Sequence, residues 1–249
     1  MACASALQAQ TADELVSKNI AARGGMDRLL AVKSLRSSGI LQQGSFSMRI
    51  GTDAAPPNLL RSTYTIQGMT AVSAYDGAVG WKISPFEGRR DPELLGEDDL
   101  RGMIEDADFY GPLVNAKEKG NKIEYLGHDT VDGDDALRLR VTLKNGDILT
   151  YYLDPDTYLE IRIEKTQYIR GSVRETFTDL GSYKRVAGVY YPFSMETGSR
   201  SNPSDRAKIT ISNMEANVSF PRSTFRMPEA RQTPSASQSS ARPNAERKL

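Results

Sequence analysis

The sequence predicts a mainly β (α+β) protein in which a single antiparallel curved sheet forms an open half-barrel. Three observations predict it: many short segments with period-two alternation of apolar and polar residues, turn residues between those segments, and only two helical segments. A single twisted sheet of roughly ten or more strands tends to curl. Because two helical segments are too few to fill its concave face, we expect an N-terminal and a mid-chain helix to form a lid over an apolar groove.

The first helix is predicted from Asp13 to Lys33, where apolar residues recur at helical spacing and Thr11 or Asp13 can cap the start. Gly24-Gly25 interrupts the pattern, because adjacent glycines destabilise a helix interior. We therefore expect a helix, a kink or tight turn, and a second short helix.

The first half of the sheet is predicted to begin after Ser34, where the apolar period changes to two. Its strands are Leu35–Gln43, Ser45–Ile50, Leu60–Gln67, Thr70–Tyr75 and Gly80–Ile83. Pro85–Pro92 has the composition of a loop. Glu97–Asp108 alternates acids with apolar residues at spacings of three and four, which predicts the amphipathic mid-chain helix.

The second half of the sheet shows a cleaner alternation. Leu137, Leu139 and Val141 share one face, whereas Arg138 and Arg140 share the other, as expected of an antiparallel sheet with one wetted face. Asn145-Gly146 is a strong hairpin signal. The predicted strands are Lys122–Gly127, Ala136–Leu143, Ile148–Asp154, Leu159–Tyr168, Val173–Tyr183, Val189–Thr197 and Ala207–Val218.

Composition limits the class of partner. The 249 residues carry 32 Lys and Arg against 32 Asp and Glu, so the net basic field that nucleic-acid binding needs is missing. We therefore expect no nucleic-acid partner. Residues 11–228 are expected to form one domain, although hairpins resuming after the mid-chain helix could belong to a second.

The two ends of the chain differ in composition from this domain. Residues 1–10 are small and uncharged and resemble the remnant of a secretory signal, although an ordinary flexible N-terminus would also fit. Cys3 belongs either to a removed signal or to a lipid-attachment site. Residues 229–249 are rich in Gln, Ser, Pro, Ala and Arg, which predicts a disordered tail.

Residues that carry catalysis or bind metals are sparse. The one histidine, His128, cannot supply the paired ligands of a zinc site and is interpreted as a solvated loop residue. The acids of Glu97–Asp108 and Asp132–Asp135 could bind a divalent cation, but neither has the spacing of a calcium loop. We therefore predict a non-enzyme without cofactor or metal, and keep a hydrolase built around His128 as a minor alternative.

Four segments, in this order, resemble bacterial LolA-like proteins, the outer-membrane lipoprotein-sorting family. They are Thr11–Arg36, Tyr75–Trp81, Asp179–Phe193 and Phe225–Pro228. The resemblance implies an open half-barrel with a helical lid, a periplasmic location, no cofactor, and an acyl chain, lipid or lipoprotein as cargo. It names no residue that contacts the cargo.

From the residues themselves, we predict a groove lined by apolar side chains of the first-half strands and the mid-chain helix. The candidates are Leu41, Tyr64, Ile66, Trp81, Ile83, Met103, Ile104 and Phe109. Envelope membrane proteins that donate or accept cargo are possible further partners. The alternative function is an envelope scaffold or interaction module that binds a partner protein through strand edges or the acidic helix.

Overall fold

The computed structural model describes residues 11–169, 171–221 and 223–229. The predicted signal remnant at residues 1–10 lies outside this range, as does the predicted tail apart from Glu229. Within the described residues, thirteen strands form one antiparallel sheet and two more form a separate hairpin. The mainly β architecture predicted from the sequence is confirmed.

The helices lie at the start of the chain and between the two halves of the sheet. They are α1 (Ala12–Arg23), α2 (Met26–Ala31), α3 (Glu97–Asp106) and α4 (Ala116–Lys119). The first-half strands are β1 (Leu35–Gln43), β2 (Phe46–Ala55), β3 (Leu59–Ile66), β4 (Met69–Tyr75), β5 (Gly80–Ser84) and β6 (Arg89–Leu94). The remaining strands are β7 (Lys122–Val131), β8 (Asp134–Thr142), β9 (Ile148–Leu153), β10 (Glu160–Ile169), β11 (Ser172–Gly181), β12 (Lys184–Val186), β13 (Val189–Tyr191), β14 (Ser194–Ser199) and β15 (Asn202–Ala216).

The large sheet consists of two meanders joined by the last two strands. Strands β1 to β6 follow one another in space, and so do β7 to β11. Strand β15 pairs with β1 and β14 pairs with β11, which connects the meanders. The two edges are β6 and β7, so the sheet is open. This topology is consistent with the predicted curved half-barrel.

The first helix is confirmed as a broken pair. Thr11 caps α1 with a capping box, in which its hydroxyl accepts a hydrogen bond from the Glu14 backbone at 3.2 Å. Gly24 and Gly25 both adopt positive φ between α1 and α2. This conformation favours glycine and explains why the predicted kink falls at this pair.

Two assignments made from the sequence were wrong. Pro85–Pro92 is not only a loop, because Arg89–Leu94 forms the edge strand β6 and tolerates Pro92 there. Val189–Thr197 is not one strand: it divides at Pro192, so Val189–Tyr191 pairs in a separate hairpin and β14 begins at Ser194.

The helices pack on only parts of the concave face. Leu15 of α1 lies in a cluster with Leu139 and Leu153 of the second half, where the alternation predicted an apolar face. Leu29 of α2 packs with Val32 and Val189 near the centre. The rest of the concave face packs against α3 or forms the groove described below.

Candidate functional site: the groove on the concave face

Helix α3 forms the lid over the first half of the sheet. Its residues Leu100, Met103 and Ala107 cluster with Leu60, which lies on the concave face of β3. Gly80 permits the close approach, because a Cβ at this position would lie 2.6 Å from Leu100 Cδ1. A helix therefore covers one side of the concavity, as the sequence predicted.

Ion pairs and hydrogen bonds connect α3 to the second half of the sheet. Arg101 donates to the buried carboxylate of Asp147, including a 2.9 Å bond from Nε, and Lys165 forms an ion pair with Glu105. Burial, with a hydrogen bond to Asp147, raises the pKa of Glu105 above its usual range. Burial alone would raise the pKa of Asp147, but hydrogen bonds with Glu105, Gln167 and Arg101 lower it. The lid is thus held by a network in which Asp147 stays ionised.

A cavity of about 1210 Å³ lies between α3 and the ends of β10, β11 and β14. The acidic side of α3 forms one wall with Asp98, Asp99 and Asp106, and the opposite wall includes Arg174 and Arg200. Asp106 lines the cavity and is partly accessible to solvent, and protein atoms surround its carboxylate on several sides. The resulting desolvation raises its pKa, and Lys165 opposes the shift. The cavity wall is therefore largely polar, unlike the uniformly apolar groove that the sequence predicted.

Another part of the concave face is apolar, and the cross-strand pair of Thr178 and Thr197 separates it from this cavity. Cross-strand pairing aligns five half-buried side chains on the concave face. They lie on five strands that are neighbours in the sheet, in the order β2, β1, β15, β14 and β11. This apolar row consists of Met48, Leu41, Ile209, Met195 and Leu180. At about 4.8 Å per strand it extends about 19 Å across the sheet. Among the described residues, none of the five belongs to a core cluster, and Leu180 lines a recess of about 200 Å³ together with Arg23 of α1.

Three predicted groove residues lie on this concave face. Leu41 lies between Met48 and Ile209 in the apolar row, and Tyr64 pairs with Ala71 on the same face. Burial, with the nearby charge of Asp106, raises the pKa of Tyr64, which places its ring beside the α3 wall. Ile66 lines a second recess of about 490 Å³ together with Met48.

The register corrects two other candidates. Trp81 pairs with Ala74, and Ile83 with Val72, whereas the concave residue Tyr75 pairs with Gly80. Trp81 and Ile83 therefore share a face, as predicted, but it is the convex one. Trp81 is 3% exposed there, and its Nε1 donates to the Phe225 carbonyl at 2.8 Å.

Of the three candidates on or just after α3, one lines the cavity and two do not. Met103 lines the cavity, whereas Ile104 lies on the side of α3 away from the cavity-lining residues and is exposed. Phe109 packs edge-on against Tyr110 in the central cluster, with ring centroids 5.0 Å apart. Ile104 and Phe109 are thus not lining residues of the cavity.

Of the apolar row, only Leu41 was predicted from the sequence as a groove residue. Met195 and Ile209 lie on predicted strands, but their position opposite Leu41 depends on β15 pairing with β1, across about 170 residues of sequence. Local alternation identifies which residues share a face of one strand. It does not identify which distant strand lies beside it.

The alternative chemistries gain no support from the geometry. His128 is exposed on β7, in strand rather than loop, and its Nδ1 lies 3.1 Å from an oxygen of the exposed Asp135. Among residues 11–169, 171–221 and 223–229, no group of three or more His, Cys, Asp or Glu side chains is arranged to hold a metal ion. In the same part of the chain, no helix is long and apolar enough to cross a bilayer.

Comparisons with known proteins identify the fold. No protein-family model and no curated protein sequence matches the chain. A LolA superfamily protein from Nitrosomonas europaea superposes with a TM-score of 0.60 at 13% identity, covering 88% of this chain and 98% of its own. A domain described as an outer membrane lipoprotein-sorting protein, from Vibrio parahaemolyticus, gives 0.56 at 14% identity, covering 86% and 95%. The chain therefore has the LolA-like fold that its sequence resemblance predicted.

Proposed function

We propose that this protein is a non-catalytic periplasmic carrier that shelters an acyl chain, as part of a lipid or lipoprotein, on the concave face of its sheet. The observation that carries the proposal is the apolar row from Met48 to Leu180, whose half-buried side chains belong to none of the core clusters of the described residues. The signal-like composition of residues 1–10 and the LolA-like fold support the periplasmic location.

The row suits a linear hydrocarbon. Each methylene removed from water contributes roughly 0.8 kcal/mol, so a chain laid along half-buried side chains gains affinity with its length. The neighbouring cavity has Asp106 on one wall and Arg174 on the other, where a hydrocarbon alone would leave charged groups poorly solvated. An amphipathic cargo satisfies both surfaces, with its acyl chain on the row and its polar part in the cavity.

The test is a titration of delipidated protein with a fluorescent long-chain fatty acid. The variant Leu41→Gln/Ile66→Gln places amides on the concave face and is expected to weaken binding by roughly tenfold or more. Its control is Leu94→Gln, because Leu94 pairs with Trp81 on the convex face, is exposed and lines neither the cavity nor the recess of Ile66. Leu94→Gln is expected to bind as the wild type does.

The outcome separates the carrier from the alternative role as an envelope interaction module. Saturable binding that the concave double variant weakens, and Leu94→Gln does not, supports the carrier. Wild-type protein that fails to bind any long-chain acyl probe, although circular dichroism shows it folded, rejects the carrier and leaves the interaction module.

A further inference from the structure

Six hairpins of the large sheet turn at one common end, and the hairpins between them turn at the other. Because the strands are antiparallel and sequential, the turns of β1–β2, β3–β4, β5–β6, β8–β9, β10–β11 and β14–β15 all lie at the common end. We call this end the hairpin rim. The large cavity reaches the rim, since Ile169, Val173 and Ser201 line it.

Exposed apolar side chains concentrate on the rim. Of the ten exposed large hydrophobic residues in the described part of the chain, half lie at rim turns. They are Phe46, Met69, Phe86, Tyr168 and Val173, the last two being 65% and 62% exposed. At the opposite end, the exposed large hydrophobic residues are Val79, Leu94 and Tyr190. Apolar residues gathered at one end of a protein mark a contact surface more often than scattered ones do.

The charge pattern indicates what the rim contacts. Residues 42–48 and 66–75, which form two adjacent tips, contain no charged residue. Moving a charge into hydrocarbon is costly, so uncharged tips with a protruding Phe46 and Met69 suit partial insertion into lipid. Together, the other tips carry exposed charges of both signs, so none of them forms a patch of one charge that would attract an oppositely charged protein. These residues are Glu87, Arg89, Arg90 and Asp91 at β5–β6, Lys144 at β8–β9, Arg174 and Glu175 at β10–β11, and Arg200 and Asp205 at β14–β15.

We propose that the hairpin rim docks on the surface of a lipid bilayer by shallow insertion of its apolar tips, with Phe46 and Met69 as the principal contacts. Docking in this orientation places the mouth of the cavity against the membrane. The bilayer contact stands without any cargo, whereas its use for loading or unloading an acyl chain rests on the proposed function.

The experiment is vesicle co-sedimentation of the full chain with phosphatidylcholine alone and with phosphatidylcholine plus phosphatidylglycerol. Phe46→Ser/Met69→Ser is expected to lower the partition constant for vesicle binding by roughly tenfold, because two apolar side chains that insert into the bilayer are lost. The matched control, Val79→Ser/Tyr190→Ser, removes two exposed apolar side chains at the opposite end and is expected to bind as the wild type does. Added salt is expected to change wild-type binding little, since apolar insertion carries the contact.

Three results would overturn the docking surface: no sedimentation of the wild type, an unaltered rim variant, or equal losses in both variants. Fatty-acid titration of the same proteins keeps the two proposals distinct. The rim variant should still bind monomeric fatty acid if only docking is impaired. If the wild type binds vesicles but no fatty acid, docking by the rim stands and the carrier proposal is rejected. If it binds fatty acid but no vesicles, the carrier proposal stands and docking by the rim is rejected.

Discussion

Replacing Trp81 by alanine is expected to destabilise the fold while leaving the groove intact. The indole is 3% exposed on the convex face and donates to the Phe225 carbonyl, so it joins β5 to the C-terminal segment. Truncating a buried Trp to Ala costs about 3–5 kcal/mol. For a domain of this size each kcal/mol lowers the melting temperature by about 2–4 °C, which gives a decrease of roughly 6–20 °C.

A graded series tests the origin of that cost. Trp81→Phe keeps much of the apolar volume but leaves the Phe225 carbonyl without its donor, so we expect a smaller loss of about 1–3 kcal/mol. Ile40→Ala, at an exposed position of the convex face, should cost less than about 1 kcal/mol. Thermal unfolding followed by far-ultraviolet circular dichroism measures all three, since Trp81 is the one tryptophan and its loss removes that fluorescence signal.

The refuting result is specific to the assignment of faces. Fatty-acid affinity of Trp81→Ala, measured well below its melting temperature, should equal that of the wild type. If affinity falls while the free energy of unfolding stays constant, Trp81 lines the groove and the convex assignment is wrong.

Three further predictions concern the lid and the first helix. Arg101→Met leaves the carboxylate of Asp147 buried without its cation and should cost about 3 kcal/mol in urea unfolding, whereas Lys117→Met, which breaks an exposed pair, should cost under about 1 kcal/mol. Because the folded-state pKa of Asp106 lies above 3.8, its ionised form opposes folding, so stability rises as the pH falls through the raised pKa toward 3.8. Asp106→Asn should flatten that part of the pH profile and stabilise the protein by less than about 1 kcal/mol at neutral pH, because cavity water screens the charge. Thr11→Ala removes the cap of α1 and should cost about 1 kcal/mol in the same unfolding assay.

The sheet could be predicted because local alternation decides most strands. In β8, Leu137, Leu139 and Val141 are buried under α1, as their spacing indicated. Strand β6 was missed, because an edge strand needs hydrogen bonds on one side only and can carry charges and Pro92.

The groove could be predicted only in part. Alternation shows that Trp81 and Ile83 share a face, but not which face is concave. That choice depends on where distant segments pack: α3 covers Gly80 on one side, and the segment containing Phe225 covers Trp81 on the other. The segment that packs on the apolar residues of β5 is distant in sequence, so the local alternation pattern does not indicate which face they occupy.

The most direct test of the carrier is photo-crosslinking with a diazirine-bearing long-chain fatty acid, followed by mass spectrometry of the labelled peptides. Our account predicts saturable labelling, competed by unlabelled fatty acid, on the concave residues Leu41, Met195 and Ile209. Labelling that is not competed, or that falls on convex positions such as Leu94 and Trp81, would contradict it.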